Sequence, residues 1–236
     1  TGNYEEALKY YNKAKKIIER KLGEDSHELA SVLHNLSIYH EDKEDYKGAM
    51  AYLGRVLKIR LDVYGPNHPY LAIVYNDIGH VYQNMENYIE ASKNYQTSLD
   101  IKRRVFGDDH PATATAYVNI GTVAFENGDA VSAETNFLNA AEILEKAYGD
   151  ESTDLPIVYS HLGELYLEEE EFETAVEYFQ KGLDLTKKNF QGEHQDIPAF
   201  LYNLGLCYEE MKKVPEAVKC YQECYDFVVK FSGPED

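Results

Sequence analysis

Residues 76–107 read NDIGHVYQNMENYIEASKNYQTSLDIKRRVFG. The pattern predicts a helix ending near Asn87, a tight turn, a second helix and a terminating glycine. The same unit returns every 42 residues. Tyr46, Tyr88, Ala130, Phe172 and Val214 share one register position, and Ala49, Ala91, Ala133, Ala175 and Ala217 follow three residues later. One period earlier the same marks fall on Tyr4 and Ala7. Self-similarity at a fixed period of this length defines a helical repeat array, and it outranks any reading of isolated motifs.

A small residue, Ser37, Gly79, Gly121, Gly163 or Gly205, stands twelve positions before each alanine of the full units. Each first helix also carries a large residue four before the small one (Leu33, Tyr75, Tyr117, Tyr159, Leu201) and an aliphatic just before it (Leu36, Ile78, Ile120, Leu162, Leu204). This is one apolar stripe at helical period. The expectation is that the small residue admits the second helix, with the alanine facing it. Four beyond the alanine comes a bulky knob: Tyr11, Leu53, Tyr95, Phe137, Phe179 or Tyr221. One hairpin cannot bury its own stripe, so neighbours must stack.

At these residues the array resembles the tetratricopeptide family, whose pattern places Leu-Gly, then Tyr, then Ala, an aromatic and Ala at these offsets. The 42-residue period, with the linkers Tyr64-Gly65-Pro66-Asn67-His68-Pro69 and Phe106-Gly107-Asp108-Asp109-His110-Pro111, is similar to the kinesin-light-chain subtype. The resemblance covers essentially the whole chain. It implies an all-α, right-handed superhelical solenoid with first helices lining a concave groove.

The expected organisation is a single solenoid over residues 1–236. Residues 1–22 read as the second helix of a truncated repeat, and full repeats run over 26–64, 67–106, 109–148, 152–190 and 194–231. Ser26 is the expected cap of the first full unit. Pro69 and Pro111 fall in a first helical turn, where a missing amide donor costs nothing. Gly65, Gly107 and Gly149 follow helix ends, and Gly192 comes one residue late. Gly233-Pro234-Glu235-Asp236 reads as a linker toward a further unit. The expectation is a fragment of a longer protein.

The net charge of −19 argues against nucleic acid and anionic membrane as partners, since both require basic patches. No apolar run reaches a membrane span. Cys207, Cys220 and Cys224 are too few and too clustered for a disulfide scaffold, which points to a reducing, cytoplasmic setting. Cys220 and Cys224 share a helical face but lack the paired ligands of a zinc site. No phosphate loop, nucleophile elbow or metalloprotease motif is present, so neither enzyme activity nor a cofactor is expected.

The charges divide by helix. The first helices with their leading turns, residues 26–42, 66–86, 108–127, 150–173 and 193–210, hold half of the 42 acidic residues and none of the 23 Lys and Arg. One reading is that second helices are simply more exposed. The other is an acidic-to-neutral groove for a basic, polar or apolar segment of a protein partner. Tetratricopeptide domains that grip acidic chaperone tails, and kinesin light chains that take acidic cargo peptides, use basic groove residues. Those positions are empty of bases here.

The row two before the small residue, Asn35, Asp77, Asn119, His161 and Asn203, matches a kinesin-light-chain row of asparagines. The resemblance implies that these amides hydrogen-bond a bound peptide backbone, with Asp77 and His161 as departures. An amide offers both donor and acceptor. The competing reading is that the row braces neighbouring repeats. His34, Ile38, Asn76, His80, Gln83, Thr122, Glu164 and Tyr202 surround it as further peptide-binding candidates. The run Glu168 to Glu171, continued by Glu173, reads as a solvated turn, with a basic docking partner as the alternative. A structural or regulatory role, packing in cis against another domain of a multidomain motor adaptor, signalling NTPase or enzyme, is the alternative function.

Overall fold

The computed structural model describes the backbone of residues 2–232 and the side chains of 5–231. The expected packing of Tyr4 and the linker reading of Gly233 to Asp236 lie outside the described residues. Every described element is helical, and the chain forms two compact units, residues 1–108 and 109–236.

The first unit holds α1 (Gly2–Leu22), α2 (His27–Asp42), α3 (Tyr46–Tyr64), α4 (Pro69–Asn84) and α5 (Tyr88–Phe106). The second holds α6 (Pro111–Glu126), α7 (Ala130–Tyr148), α8 (Leu155–Glu168), α9 (Phe172–Asn189), α10 (Ile197–Glu210) and α11 (Val214–Ser232), with a 3-10 turn over Gly149–Glu151. Within each unit the helices pair as hairpins, α2 with α3, α4 with α5, α6 with α7, α8 with α9 and α10 with α11. The register marks Tyr46, Tyr88, Ala130, Phe172 and Val214 are the first residues of the five second helices.

Each hairpin turn is built the same way. The backbone N–H of Asp45, Asn87, Asp129, Glu171 and Lys213 donates to the carbonyl five residues back, at 2.8–2.9 Å. The preceding residue sits at positive φ: Glu44 58°, Glu86 57°, Gly128 76°, Glu170 60° and Lys212 59°. This is the left-handed helix termination that favours glycine, occupied here by glycine once in five. Asp45, Asn87 and Asp129 then cap the second helix, their side chains accepting from Gly48, Glu90 and Ser132 N–H.

The first helices open less uniformly. His68 and His110 cap α4 and α6, each Nδ1 accepting an amide two residues on, with proline at the first helical position as expected. Ser26 holds the cap position of α2, but its hydroxyl donates back to the Gly23 carbonyl instead of capping. After α9, Gln191 and Gly192 both take positive φ, so this linker, where the glycine comes one residue late, is built differently from the others.

The core corrects one expectation. The marked alanines are buried, but the knob covers the small residue. A Cβ added at Gly79 would lie 2.8 Å from the Tyr95 ring, and one at Gly121 would lie 2.7 Å from that of Phe137. Gly163 and Gly205 face Phe179 and Tyr221 in the same way. Where the knob is the smaller Leu53, serine stands in place of glycine at position 37. Tyr95, Phe137 and Phe179 are essentially fully buried, so the pairing is set by close-packed volume.

Candidate functional site

The first-helix row meets different surroundings in the two units. In the first unit, His34 Nε2 on α2 donates to Asp77 Oδ2 on α4 at 2.7 Å. His80 Nδ1 donates to Glu41 Oε1 at 2.5 Å, and Asn84 donates to the same oxygen at 3.0 Å. These bonds tie successive first helices together, so Asp77, His34 and His80 act as braces between repeats. Asn35 is exposed and makes no side-chain hydrogen bond among the described residues, and Ile38 beside it is also exposed. Asn76 is half-buried.

Gln83 belongs to the packing of its own hairpin, since it accepts from the Tyr95 hydroxyl at 2.8 Å. Three repeats later Glu209 accepts from Tyr221 at 2.8 Å. Between them, Phe125 and Leu167 occupy the same register opposite Phe137 and Phe179, knobs without a hydroxyl. A polar residue therefore accompanies a tyrosine knob and gives its hydroxyl an acceptor, and an apolar one accompanies phenylalanine, which has no hydroxyl to satisfy. Burial, then the bond to Glu209, pushes the Tyr221 phenol up to about 12.

In the second unit the His161 ring stacks on Phe137, with centroids 5.1 Å apart and planes 9° apart, and its Nδ1 lies 3.6 Å from Glu164. Glu164 accepts from Ser160 at 3.0 Å, and Thr122 donates to its own helix at Val118. Asn119 is half-buried. Asn203 is half-buried with no side-chain hydrogen bond among the described residues, and Tyr202 next to it is 52% exposed. Among the described residues the amides of Asn35 and Asn203 are thus unused, while Asp77 and His161 are engaged.

The charge division by helix does not survive folding intact. Lys146, Lys188 and Lys230 on second helices reach Asp109, Asp150 and Glu193 in the leading turns, at 2.7, 2.9 and 3.3 Å. Arg103 on α5 likewise pairs with Asp108, so four acids assigned to the groove side have basic neighbours. Arg60, nearly buried, donates to the Tyr70 carbonyl at 3.1 Å and leaves its Nε without a partner among the described residues. Burial lowers the pKa of Arg60 and of Lys102, and the nearby Asp77 carboxylate opposes the shift in both. Second-helix bases thus enter the electrostatic surroundings of the first-helix row.

The cysteines are packing groups. Cys207 is fully buried and its thiol is pushed up to about 11 by burial, while Cys224 donates to the Pro198 carbonyl at 3.4 Å. Among the described residues no helix is long and apolar enough to cross a membrane.

Comparison with known proteins matches this architecture. A tetratricopeptide repeat model matches residues 1–62, 70–133 and 113–188, and a second such model matches 199–226. The chain belongs to the tetratricopeptide repeat family. Among solved structures, BtubC (BKLC) from P. vanneervenii is similar with a TM-score of 0.83 at 18% identity, over 99% of this chain and 92% of that one. A putative kinesin light chain with nearly identical repeats from Podospora anserina gives 0.74 at 17%, over 86% and 95%. A signal transduction ATPase with a tetratricopeptide repeat sensor from Pyrococcus horikoshii gives 0.79 at 20%, over 97% of this chain and 34% of that protein. At these identities the likeness is one of fold. No curated protein matches the sequence.

Proposed function

We propose that the chain is a protein-interaction scaffold that holds peptide segments of a partner on the first-helix surfaces of each unit, with Asn35 in the first and Asn203 in the second as backbone-binding amides. Repeat solenoids present extended surfaces of this kind as their general mode of binding. The observation that carries the reading is the pair of unused amides, each beside an exposed apolar or aromatic residue, Ile38 in the first unit and Tyr202 in the second. An amide that both donates and accepts suits an extended backbone of any sequence. Asn119 shares their register position without being one of the unused amides, and His161, Glu164 and Thr122 lie beside it. The preference for basic, polar or apolar segments rests on the absence of Lys and Arg from the first helices, moderated by the cross-helix pairs of Lys146, Lys188 and Lys230.

A peptide-array screen at low and high salt, run with the intact chain and with Asn35→Ala/Asn203→Ala, tests this reading. Retained folding with at least tenfold weaker binding in the double variant is expected. Equal binding by both proteins removes the amides from the site.

A second reading, packing in cis against another domain, draws on α11. Tyr225 is 64% exposed, whereas Leu183, its equivalent on α9, is 2% exposed beneath α10. Proteolysis and hydrogen exchange of a longer chain separate the two readings, because packing in cis protects α11 before any ligand is added.

A further inference from the structure

The acidic run after α8 borders a groove of about 430 Å³ where the α6–α7 and α8–α9 hairpins turn. Its floor is Leu165, Tyr166 and Ala130, with the exposed Val131 at one edge. Its rim is Glu134 on α7, Glu169 at the end of α8 and Glu171 before α9. The Tyr166 hydroxyl donates to Glu134, and its ring stacks on Tyr178 with centroids 5.5 Å apart and planes 5° apart, so the floor is fixed.

The repeat supplies its own controls. At the positions of Glu134, Glu169 and Glu171, the places framed by α1, α2 and α3 carry Leu8, Lys43 and Asp45. Those framed by α3, α4 and α5 carry Met50, Met85 and Asn87, and those framed by α9, α10 and α11 carry Val176, Met211 and Lys213. Tyr82 and Tyr208 repeat the Tyr166 floor residue in the last two. The floor is therefore part of the fold, and the three carboxylates are not required by it. Crowding three like charges around an apolar depression costs repulsion, which an opposite charge relieves.

We propose that this groove docks a short basic and apolar segment of a partner polypeptide, an aliphatic side chain on the Leu165–Tyr166 floor and lysine or arginine side chains on Glu134, Glu169 and Glu171. The surface is distinct from the first-helix row and stands without it. Charge complementarity selects the occupant: an acidic segment meets three carboxylates, and a neutral one leaves them unpaired.

The test is fluorescence anisotropy with a labelled peptide carrying two Lys-Leu-Arg triplets joined by Ser-Gly, against a control with Glu in place of each Lys and Arg. The proteins are the intact chain, the triple variant E134Q/E169Q/E171Q, and N35A/N203A. The glutamines keep the shape of the site, and the Gln at 134 still accepts from Tyr166. The expected result is binding of the basic peptide that weakens as salt rises, at least tenfold weaker in the triple variant, a larger loss than in N35A/N203A, and absent with the control. Circular dichroism melting shows whether the variants remain folded. No binding of the basic peptide, equal binding by the folded triple variant, or equal binding of the acidic control overturns the proposal. Loss of binding only in N35A/N203A also overturns it, by assigning the peptide to the first-helix row.

Discussion

The α2–α3 and α6–α7 hairpins have the same length, turn and cap, yet fill their centres differently. The first sets Leu53 beside Ser37, and the second sets the Phe137 ring on Gly121. At the turn the first holds Glu44 at φ 58° where the second has Gly128 at 76°. On the first-helix surface, the first brings His34 to Asp77, while His161 in the second unit lies flat on Phe137. The repeat conserves backbone geometry and total volume across an interface, and individual residue types follow from those two constraints.

Breaking the volume constraint has the largest expected effect. Gly121→Ala places a methyl group 2.7 Å from the Phe137 ring, which is fully buried and has no room to retreat. The variant gains helix propensity, worth about 1 kcal/mol, but overpacking costs about 1–3 kcal/mol and a displaced buried ring costs more. Urea unfolding should show a net loss of about 2 kcal/mol. Phe137→Leu in that background recreates the α2–α3 solution and should recover part of the loss. Full stability in the single variant would show that the glycine does not control the contact.

The surface difference comes next. Asp77→Asn removes the carboxylate that receives His34 and faces Arg60 and Lys102, with an expected loss of about 1–2 kcal/mol. His161→Ala exposes one face of Phe137 and should act through packing, with little dependence on salt. Lys102 adds a pH test. Burial holds its folded pKa below the ordinary 10.5, so the unfolded chain binds the proton more tightly. Its contribution to stability is present above 10.5 and is lost as the pH falls through the lowered folded value. Lys102→Met should raise stability at neutral pH and flatten the rise on the alkaline side, measured by urea unfolding across pH 7–10.

The turns give a smaller and more symmetrical pair. Gly128→Ala forces a side chain into the left-handed region and should cost about 1 kcal/mol, whereas Glu44→Gly should gain up to about 1 kcal/mol. Thermal melting of the two variants should move in opposite directions by a few degrees.

These contrasts also show what the sequence makes legible. A 42-residue period with Ala49, Ala91, Ala133, Ala175 and Ala217 in phase fixes the helices, because burial at every interface demands the same small residue. The left-handed turn position stays hidden, since the capping hydrogen bonds tolerate Glu44, Glu86, Glu170 and Lys212, and Gly128 alone displays it. The expectation that alanine faces glycine misses the knob, because spacing along two helices does not say how far a ring leans. Gln83 reads as a groove residue until Tyr95 is seen beside it, twelve residues away but one bond distant. The groove below Glu169 and Glu171 is equally invisible, because Glu134 comes from the preceding hairpin.

The smallest effect bears on how far the charge division can be trusted. Lys188 lies 2.9 Å from Asp150, with both side chains more than half exposed, as are those of Lys146 with Asp109 and Lys230 with Glu193. Exposed pairs of this kind contribute about 0–1 kcal/mol, because water screens the attraction and holding two long side chains costs entropy. Lys188→Ala should therefore change unfolding free energy by less than about 0.5 kcal/mol at moderate salt. Its electrostatic effect should be easier to see, since removing the base leaves Asp150 without its neutralising neighbour and makes that edge more acidic. Basic peptides should associate faster with the variant at low salt, and the difference should vanish as the Debye length shrinks below about 8 Å. Stopped-flow association rates at two salt concentrations measure this directly. An unchanged low-salt rate would mean that the leading-turn acids do not contribute to the field of the first-helix surface, and that its charge must be counted from side chains such as Glu41 and Glu164 alone.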